Sequence, residues 1–307
     1  MGSVVNRVSN SADRSRIGRS LGVLIILWTA TVNGASLKPE TVNAWHDYLR
    51  TADARIKQRV SGASSFLWIE ESPDRAVQVL RKHILVAPVG PQVPAKVPDG
   101  LVHDWIGGAF IPNAEISDVL RVVRDYARYR EIYNPNVIES QPLAASKMVD
   151  RFSMLLMNRS LFSKTALQGE YQSSYVRVDD RRLYSISFTT SMREVADYGS
   201  PGQHLLPENE GMGLIWRAYS ITRFEERNGG VFIETEFIAL SRDIPAGLRW
   251  LVEPIVRHTS REALTTALRQ TKEAVECSLA ARETVGTHHP ALTNLEFNVN
   301  SRPRHRN

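Results

Sequence analysis

His103 and Asp104 stand side by side in Leu101-Val-His103-Asp104-Trp105. An imidazole beside a carboxylate can make a general base, because the carboxylate fixes the tautomer and raises the basicity. Neighbours on a strand point to opposite faces, so these two side chains are expected to part rather than pair. Arg242-Asp243 could hold a ligand carboxylate, but at the exit of a hairpin it reads better as a local ion pair or loop clamp. His288-His289 lies in a polar tail with no further ligand near it in sequence, and a metal role is not expected there. The single cysteine, Cys277, excludes an internal disulfide; inside a helical pattern and without a CxxC partner, it is expected as a small packed side chain. HExxH, GxSxG, Walker and dinucleotide fingerprints are absent. No catalytic residue, metal ligand or cofactor is therefore assigned, and His103 and Arg242 remain as candidate polar anchors.

The elements that would position such anchors follow from periodicity. Val42, Trp45, Leu49, Ala52 and Ile56 recur at spacings of three and four after Pro39, an amphipathic helix. Ser72-Pro73 caps and begins a second helix to about Lys82, and Ile84 to Val89 reads as a strand. Pro88, Gly90, Pro91, Pro94, Pro98 and Gly100 mark a connection, and the main domain is expected to start there. It opens with a strand over 101–111 and a helix over about 114–128, with Ile116, Val119, Leu120, Val123 and Tyr126 on one face. Tyr184, Ile186, Phe188, Thr190 and Met192 alternate with mostly polar neighbours, and Tyr171 to Val178 reaches them through an Asp179-Asp180 turn: half-buried antiparallel strands. Residues 195–212 read as a long loop before a strand around Leu214-Ile-Trp216. The Asn228-Gly229 turn then sets a final hairpin, Phe224 to Leu240. This order, strand, helix, a run of strands and one long helix, argues for an α+β fold.

The last helix is expected to start at Thr259, with Glu262 three residues on in capping-box spacing. Its inward stripe is Leu264, Leu268, Thr271, Val275 and Leu279, flanked by the small residues Ala263, Ala267, Ala274, Cys277 and Ser278. Small residues over a sheet permit either a closer approach or a void that takes a ligand. A cavity would be lined by Leu264, Leu268, Thr271 and Val275 from the helix, with Phe237 and Trp216 from the strands opposite.

The chain has 307 residues, 42% hydrophobic, enough to bury a sizeable core, and a formal charge of +5. The charge sits at the ends. Arg7, Arg14, Arg16 and Arg19 outweigh Asp13, and Arg302, Arg304 and Arg306 close the chain, so the body between is slightly acidic. That argues against a nucleic-acid partner, which needs a basic face. The basic flank, the short apolar run Leu21 to Val32 and the small residues Gly34 and Ala35 read as a secretory signal peptide cleaved near Ala35, so the protein is expected to be exported, periplasmic or secreted. The run is too short for a typical bilayer span.

Three stretches carry a resemblance: Gly100-Leu-Val-His-Asp-Trp-Ile-Gly-Gly-Ala-Phe-Ile-Pro112, Tyr126-Ala-Arg-Tyr-Arg-Glu-Ile-Tyr-Asn-Pro135, and Leu240-Ser-Arg-Asp-Ile-Pro-Ala-Gly-Leu-Arg-Trp-Leu-Val252. From about Gly100 to Val285 the chain resembles the START-like (SRPBCC, Bet v 1-like) superfamily, in particular its exported bacterial members. The resemblance implies a helix-grip fold, an antiparallel sheet wrapped around a long C-terminal helix, with an apolar cavity between them. It divides the chain into a signal peptide (1–35), a helical extension with its proline-rich connection (36–99), the START-like domain (100–285) and a polar tail (286–307). The function it implies is binding of a hydrophobic small molecule, such as a lipid, isoprenoid or polyketide-like compound, without chemistry. The rivals are a cyclase or aromatase on the same fold, and a periplasmic protein whose Ile244 to Val252 loop makes transient contact with a membrane or partner. No catalytic set of that superfamily transfers onto these residues.

Overall fold

Alternating side chains and tight turns build most of the molecule as antiparallel sheet. The computed structural model describes residues 34–159 and 164–287; the expected leader up to Asn33, the tail from His288 and the His288-His289 pair lie outside the described residues. A short strand β1 (Ala35–Ser36) leads into helix α1 (Pro39–Val60), with Pro39 in the first turn, where the backbone N–H has no helical partner to lose. A 3₁₀ turn (Trp68–Glu71) and α2 (Pro73–Leu80) follow, then strands β2 (Leu85–Pro88), β3 (Ala95–Val97) and β4 (Gly100–Pro112). After β4 come α3 (Ile116–Val123), a 3₁₀ turn (Tyr126–Arg128) and α4 (Tyr129–Ile132). Then β5 (Val137–Ala145), β6 (Val149–Arg159), β7 (Lys164–Arg177) and β8 (Arg182–Ala196) run up and down. Two short strands, β9 (His204–Leu205) and β10 (Glu210–Gly211), lie in the expected long loop, before β11 (Arg217–Arg227), β12 (Gly230–Arg242) and the long helix α5 (Arg249–Thr287).

The large sheet has the order β2-β4-β12-β11-β8-β7-β6-β5, with β3 also on β4 and β9 on β8, and every pairing is antiparallel. The chain leaves β4, crosses through α3 and α4 to the far edge at β5, and returns strand by strand until β12 pairs with β4. Asn228 and Gly229 hold φ of 55° and 71°, the two left-handed residues of a tight hairpin turn, as their types require. Because β2 and β3 pair with β4, the sheet includes strands from the N-terminal side of the expected domain boundary near Gly100.

Two expectations fail here. Helix α5 begins at Arg249, ten residues before Thr259, which lies exposed within it. Pro254 sits in the second turn, where it forgoes the one hydrogen bond to the carbonyl of Trp250 and does not end the helix. Cys277 is exposed rather than packed, because the buried stripe of α5 runs through Leu264, Leu268, Thr271 and Val275, and residue 277 falls off that line.

Candidate functional site

The central strands have two covered sides. Trp105, Ala109 and Ile111 of β4, Val231 and Ile233 of β12, Phe224 of β11 and Leu183 of β8 form one cluster with Leu264, Leu268 and Val275 of α5: the inner side. Val102, Tyr219, Ile221, Ile238 and Leu240 cluster instead with Trp45, Ala52 and Ile56 of α1, the outer side. Gly107 shows how close α5 comes. A β-carbon there would lie 2.8 Å from Cδ1 of Leu268.

Along the inner side the residue sizes change. Toward the hairpin end, Ile111, Val231, Ile233, Phe224 and Leu183 fill the space beneath α5 and α3. Moving along the same rows, the register sets Thr235 against Thr222, Phe237 against Ser220 and Ala239 against Ala218, with Ser185 and Ser187 next to them on β8 and Ser173 beyond on β7. Cross-strand partners point to one side, so this is a floor of short, mostly hydroxyl-bearing side chains where a solid core would carry Val, Ile or Leu. Phe237 stands in it 37% exposed, although it lies on an interior strand and on the side α5 covers. The hydroxyls largely satisfy one another: Thr222 with Thr235 at 3.1 Å, Ser173 with Ser187, and Thr189 accepting from the Ala218 N–H at 3.1 Å. From Phe237 to Ser173 the row carries no charged side chain; its next position, on β6, is the buried Asp150, which pairs with Arg124.

The wall toward α4 is aromatic. Tyr126 stacks on Phe152, Phe152 on Tyr171, and Tyr129 meets Tyr126 and Phe152 at steeper angles. The Tyr126 hydroxyl lies 2.8 Å from that of Tyr175 and donates to Asp150, which Arg124 holds from its other side at 2.7–2.8 Å. Burial raises the phenols of Tyr126, Tyr129 and Tyr171, and takes Tyr175 up to about 12. They stay protonated at neutral pH. They can donate hydrogen bonds and cannot serve as bases.

The expected lining residues are placed as follows. Leu264, Leu268 and Val275 face the inner side within its filled part. Thr271 is also buried, but its hydroxyl donates to the Ala267 carbonyl and accepts from Tyr133 at 2.9 Å, so the side chain that follows α4 lies against it. Phe237 faces the open floor. Trp216 does not join it; it packs in the α1-side cluster with Trp45, Val102 and Leu240. Arg242 donates to the Met212 carbonyl at 3.3 Å, and its N–H bonds the Gly213 carbonyl, so it clamps the loop before β11. Asp243 pairs with Arg249 and Lys96 rather than with Arg242.

His103 and Asp104 part as expected. Asp104 turns to α1, where Tyr48 and Arg55 bind it. His103 stays on the α5 side, with Nε2 2.9 Å from the Ser241 hydroxyl and Nδ1 without a partner. Burial lowers its pKa to about 4, so the ring is neutral at pH 7. A His–Ser contact with no carboxylate to orient the ring lacks the third member that an activated nucleophile uses. The signal that sequence reasoning missed is the row Ser185, Ser187, Ser220, Thr222: alternation marks which residues share a side, and the large set Tyr184, Ile186, Phe188 packs against the α1-side cluster.

Two surface recesses lie elsewhere. One of about 490 Å³, among Asp179 to Arg182 and Glu225 to Arg227, is lined only by charged residues that pair with each other, as Arg182 does with Asp179 at 2.7 Å. It offers an apolar molecule nothing. The other, about 330 Å³, lies where the first turns of α5 meet β3 and the start of β4, among Lys96, Leu101, Ile244, Arg249 and Arg257.

An antiparallel sheet in the order β2-β4-β12-β11-β8-β7-β6-β5, with a long C-terminal helix lying on one side, decides the architecture. The fold is the helix grip. It is the architecture that the resemblance implies, and it is α+β. Among solved structures, the chain is similar to the STAR-related lipid transfer protein from Xanthomonas axonopodis, at 18% identity over 62% of this chain and 98% of that one, TM-score 0.41. Human STARD10 is similar at 11% identity over 66% and 76%, TM-score 0.40. The Zhui aromatase/cyclase from Streptomyces sp. R1128 is similar at 9% identity over 59% and 98%, TM-score 0.36. These superpositions are loose, and the helix grip stands on the strand order and on α5. No protein-family model and no curated protein matches the chain.

Proposed function

We propose that the protein binds a hydrophobic small molecule between α5 and the floor around Phe237, without chemistry. The exposed ring of Phe237, set among Ser220, Thr222, Thr235 and Ala239 on a side that a helix covers, carries this reading. Apolar area left open inside a fold is where an apolar molecule gains most by leaving water. The hydroxyl floor suits a ligand with a few neutral polar groups, such as a lipid, isoprenoid or polyketide-like compound. Purified protein is extracted with organic solvent and the extract analysed by mass spectrometry, with displacement of 1-anilinonaphthalene-8-sulfonate as a second readout. Recovery of a stoichiometric apolar compound is expected; an empty extract together with no probe binding overturns the reading. The cyclase or aromatase alternative has less support, since the phenols are too weakly acidic and His103 too weakly basic to exchange protons at neutral pH.

One observation favours a membrane contact in addition. Trp250 is 76% exposed at the start of α5, with Leu248 exposed beside it and Arg249 and Arg257 in the same turns. Tryptophan with basic neighbours suits a bilayer interface. Co-sedimentation with phosphatidylcholine–phosphatidylglycerol vesicles should fall in Trp250→Ala; equal sedimentation of both proteins removes this contact. We also propose export by a signal peptide over 1–35 cleaved near Ala35, to be read by N-terminal sequencing of the extracytoplasmic protein; an intact Met1 there refutes cleavage.

A further inference from the structure

The outer side of the sheet buries charge that ligand binding does not use. Asp104 of β4, Glu234 and Glu236 of β12 and Arg223 of β11 are all buried, beneath α1 and the Trp68–Glu71 turn. Arg55 reaches down from α1 to both Asp104, at 3.1 Å, and Glu236, at 2.5 Å; Tyr48 donates to Asp104 at 2.9 Å. Arg223 lies 2.9 Å from Glu234 and 3.7 Å from Glu236, and Glu234 also accepts the N–H groups of Trp68 and Ile69 at 2.9 and 3.0 Å. Three carboxyl groups thus face two guanidinium groups, one negative charge too many. Among the described residues Oδ1 of Asp104 has no hydrogen-bond partner. A buried excess charge is costly, and a carboxyl group removes it by keeping its proton.

We propose that Asp104 is a proton-binding site on the outer side of the sheet, and that the docking of α1 weakens as this proton is lost. The other charged groups around it are already committed: Asp53 of α1 accepts from Tyr219 at 2.6 Å, and Arg59 holds Glu71 and the Ser65 carbonyl. Asp104 is the carboxyl most dependent on α1 itself, since two of its hydrogen bonds come from that helix and none from the strands. Burial, and then the charge of Glu236, raise its pKa to about 7 from 3.8. When α1 lifts and water enters, the group returns toward its ordinary value and releases the proton. Opening is therefore proton-linked: it becomes easier as pH rises from about 4 to about 7 and is constant above that. Burial also raises Glu234, whose partners are Arg223 and the turn rather than α1.

Hydrogen exchange on the full chain tests this, comparing α1 amides with those of β11 after correction for intrinsic exchange. Protection in α1 should fall about tenfold per pH unit from about pH 5 to about pH 7 and then level off. Asp104→Asn, which resembles the protonated acid, should abolish that fall. A flat profile in the wild type overturns the proposal, and so does a fall that persists in Asp104→Asn, which would move the proton to Glu234. Should the variant not fold, infrared spectra of wild-type protein carrying carbon-13 aspartate decide instead. A protonated aspartate carbonyl band at about pH 6 that is gone by about pH 8 supports the site, and no such band at about pH 6 refutes it.

Discussion

The two sides of β4, β11 and β12 carry opposite chemistry at neighbouring positions. Ser220 and Thr222 face α5 uncharged and half-buried; Ile221 and Arg223, between and after them, are fully buried toward α1. Likewise Thr235 and Phe237 look into the open floor, while Glu234 and Glu236 sit in the charge network. Around Phe237 the inner side carries hydroxyls and no charge, its buried Asp150 lying across on β6 against Arg124, so the proposed apolar ligand would displace no ion pair there. The outer side is specified by charges paired with one another across β4, β11, β12 and α1. A helix over hydroxyls can leave room; a helix over paired charges cannot shift without uncovering them. The contrast between an uncharged floor on one side and paired charges on the other follows from the two-residue period of the strands.

The largest effect should come from breaking the outer side. Among the described residues, Arg223→Met removes the one cation paired with Glu234 and leaves Glu236 with Arg55. Leaving a buried charge uncompensated costs about 3–5 kcal/mol, so urea unfolding should show a loss of that size, or no folded protein. A loss below about 1 kcal/mol would mean that the network is solvated and the contrast between the sides is false.

A second test sets the sides against each other through adjacent residues. His103 has its pKa lowered from 6.5 to about 4 by burial, so it stabilises the fold above about pH 6.5 and the contribution is lost as pH falls toward 4. Asp104, raised from 3.8 to about 7, has the other sign: its contribution is full below about pH 4 and is lost as pH rises to 7. The two slopes have opposite signs, so in the wild type they work against each other. His103→Gln should therefore gain stability on acidification from about pH 6.5 to about pH 4.5, and Asp104→Asn should lose it more steeply than the wild type. Identical pH profiles in both variants would show that neither residue is held as its side of the sheet requires.

Much of this architecture is legible in the residues. Asn228-Gly229 specifies its hairpin, Pro39 and Ser72-Pro73 begin their helices, and the stripe from Leu264 to Val275 is buried as spaced. β5 and β6 escape notice because β5 runs along the sheet edge, mostly exposed, with Pro142 and two register shifts breaking its alternation. The start of α5 is hidden because Pro254 and the Thr259–Glu262 spacing both suggest a boundary that tertiary contacts override. The site is harder. Periodicity shows that Tyr184, Ile186 and Phe188 share a side, but only the position of α1 makes that side the outer one, which hands the inner side to Ser185 and Ser187. The charge network could have been suspected from Arg223, Glu234 and Glu236 inside two otherwise apolar strands, where burial demands partners.

The smallest change in stability should accompany the most informative change in binding. Ser220 lies beside Phe237 and next to Ser187, half-buried on the open floor. In a close-packed interior, Ser220→Leu would add methyl groups where none fit, at a cost of about 1–3 kcal/mol. Over an open floor the added side chain covers Phe237 and takes up ligand space instead, so stability should stay within about 1 kcal/mol of wild type or rise slightly. Binding of the extracted ligand, or of the anilinonaphthalene probe, should drop about tenfold or more, which corresponds to roughly 1.4 kcal/mol. Val176→Leu is the control, since Val176 is exposed on β7 away from this floor and should leave both quantities unchanged. A destabilised Ser220→Leu that still binds would place the ligand elsewhere and make the hydroxyl row ordinary packing; a stable variant that has lost its ligand fixes the site at Phe237 and leaves the outer side to act as the rigid wall behind it.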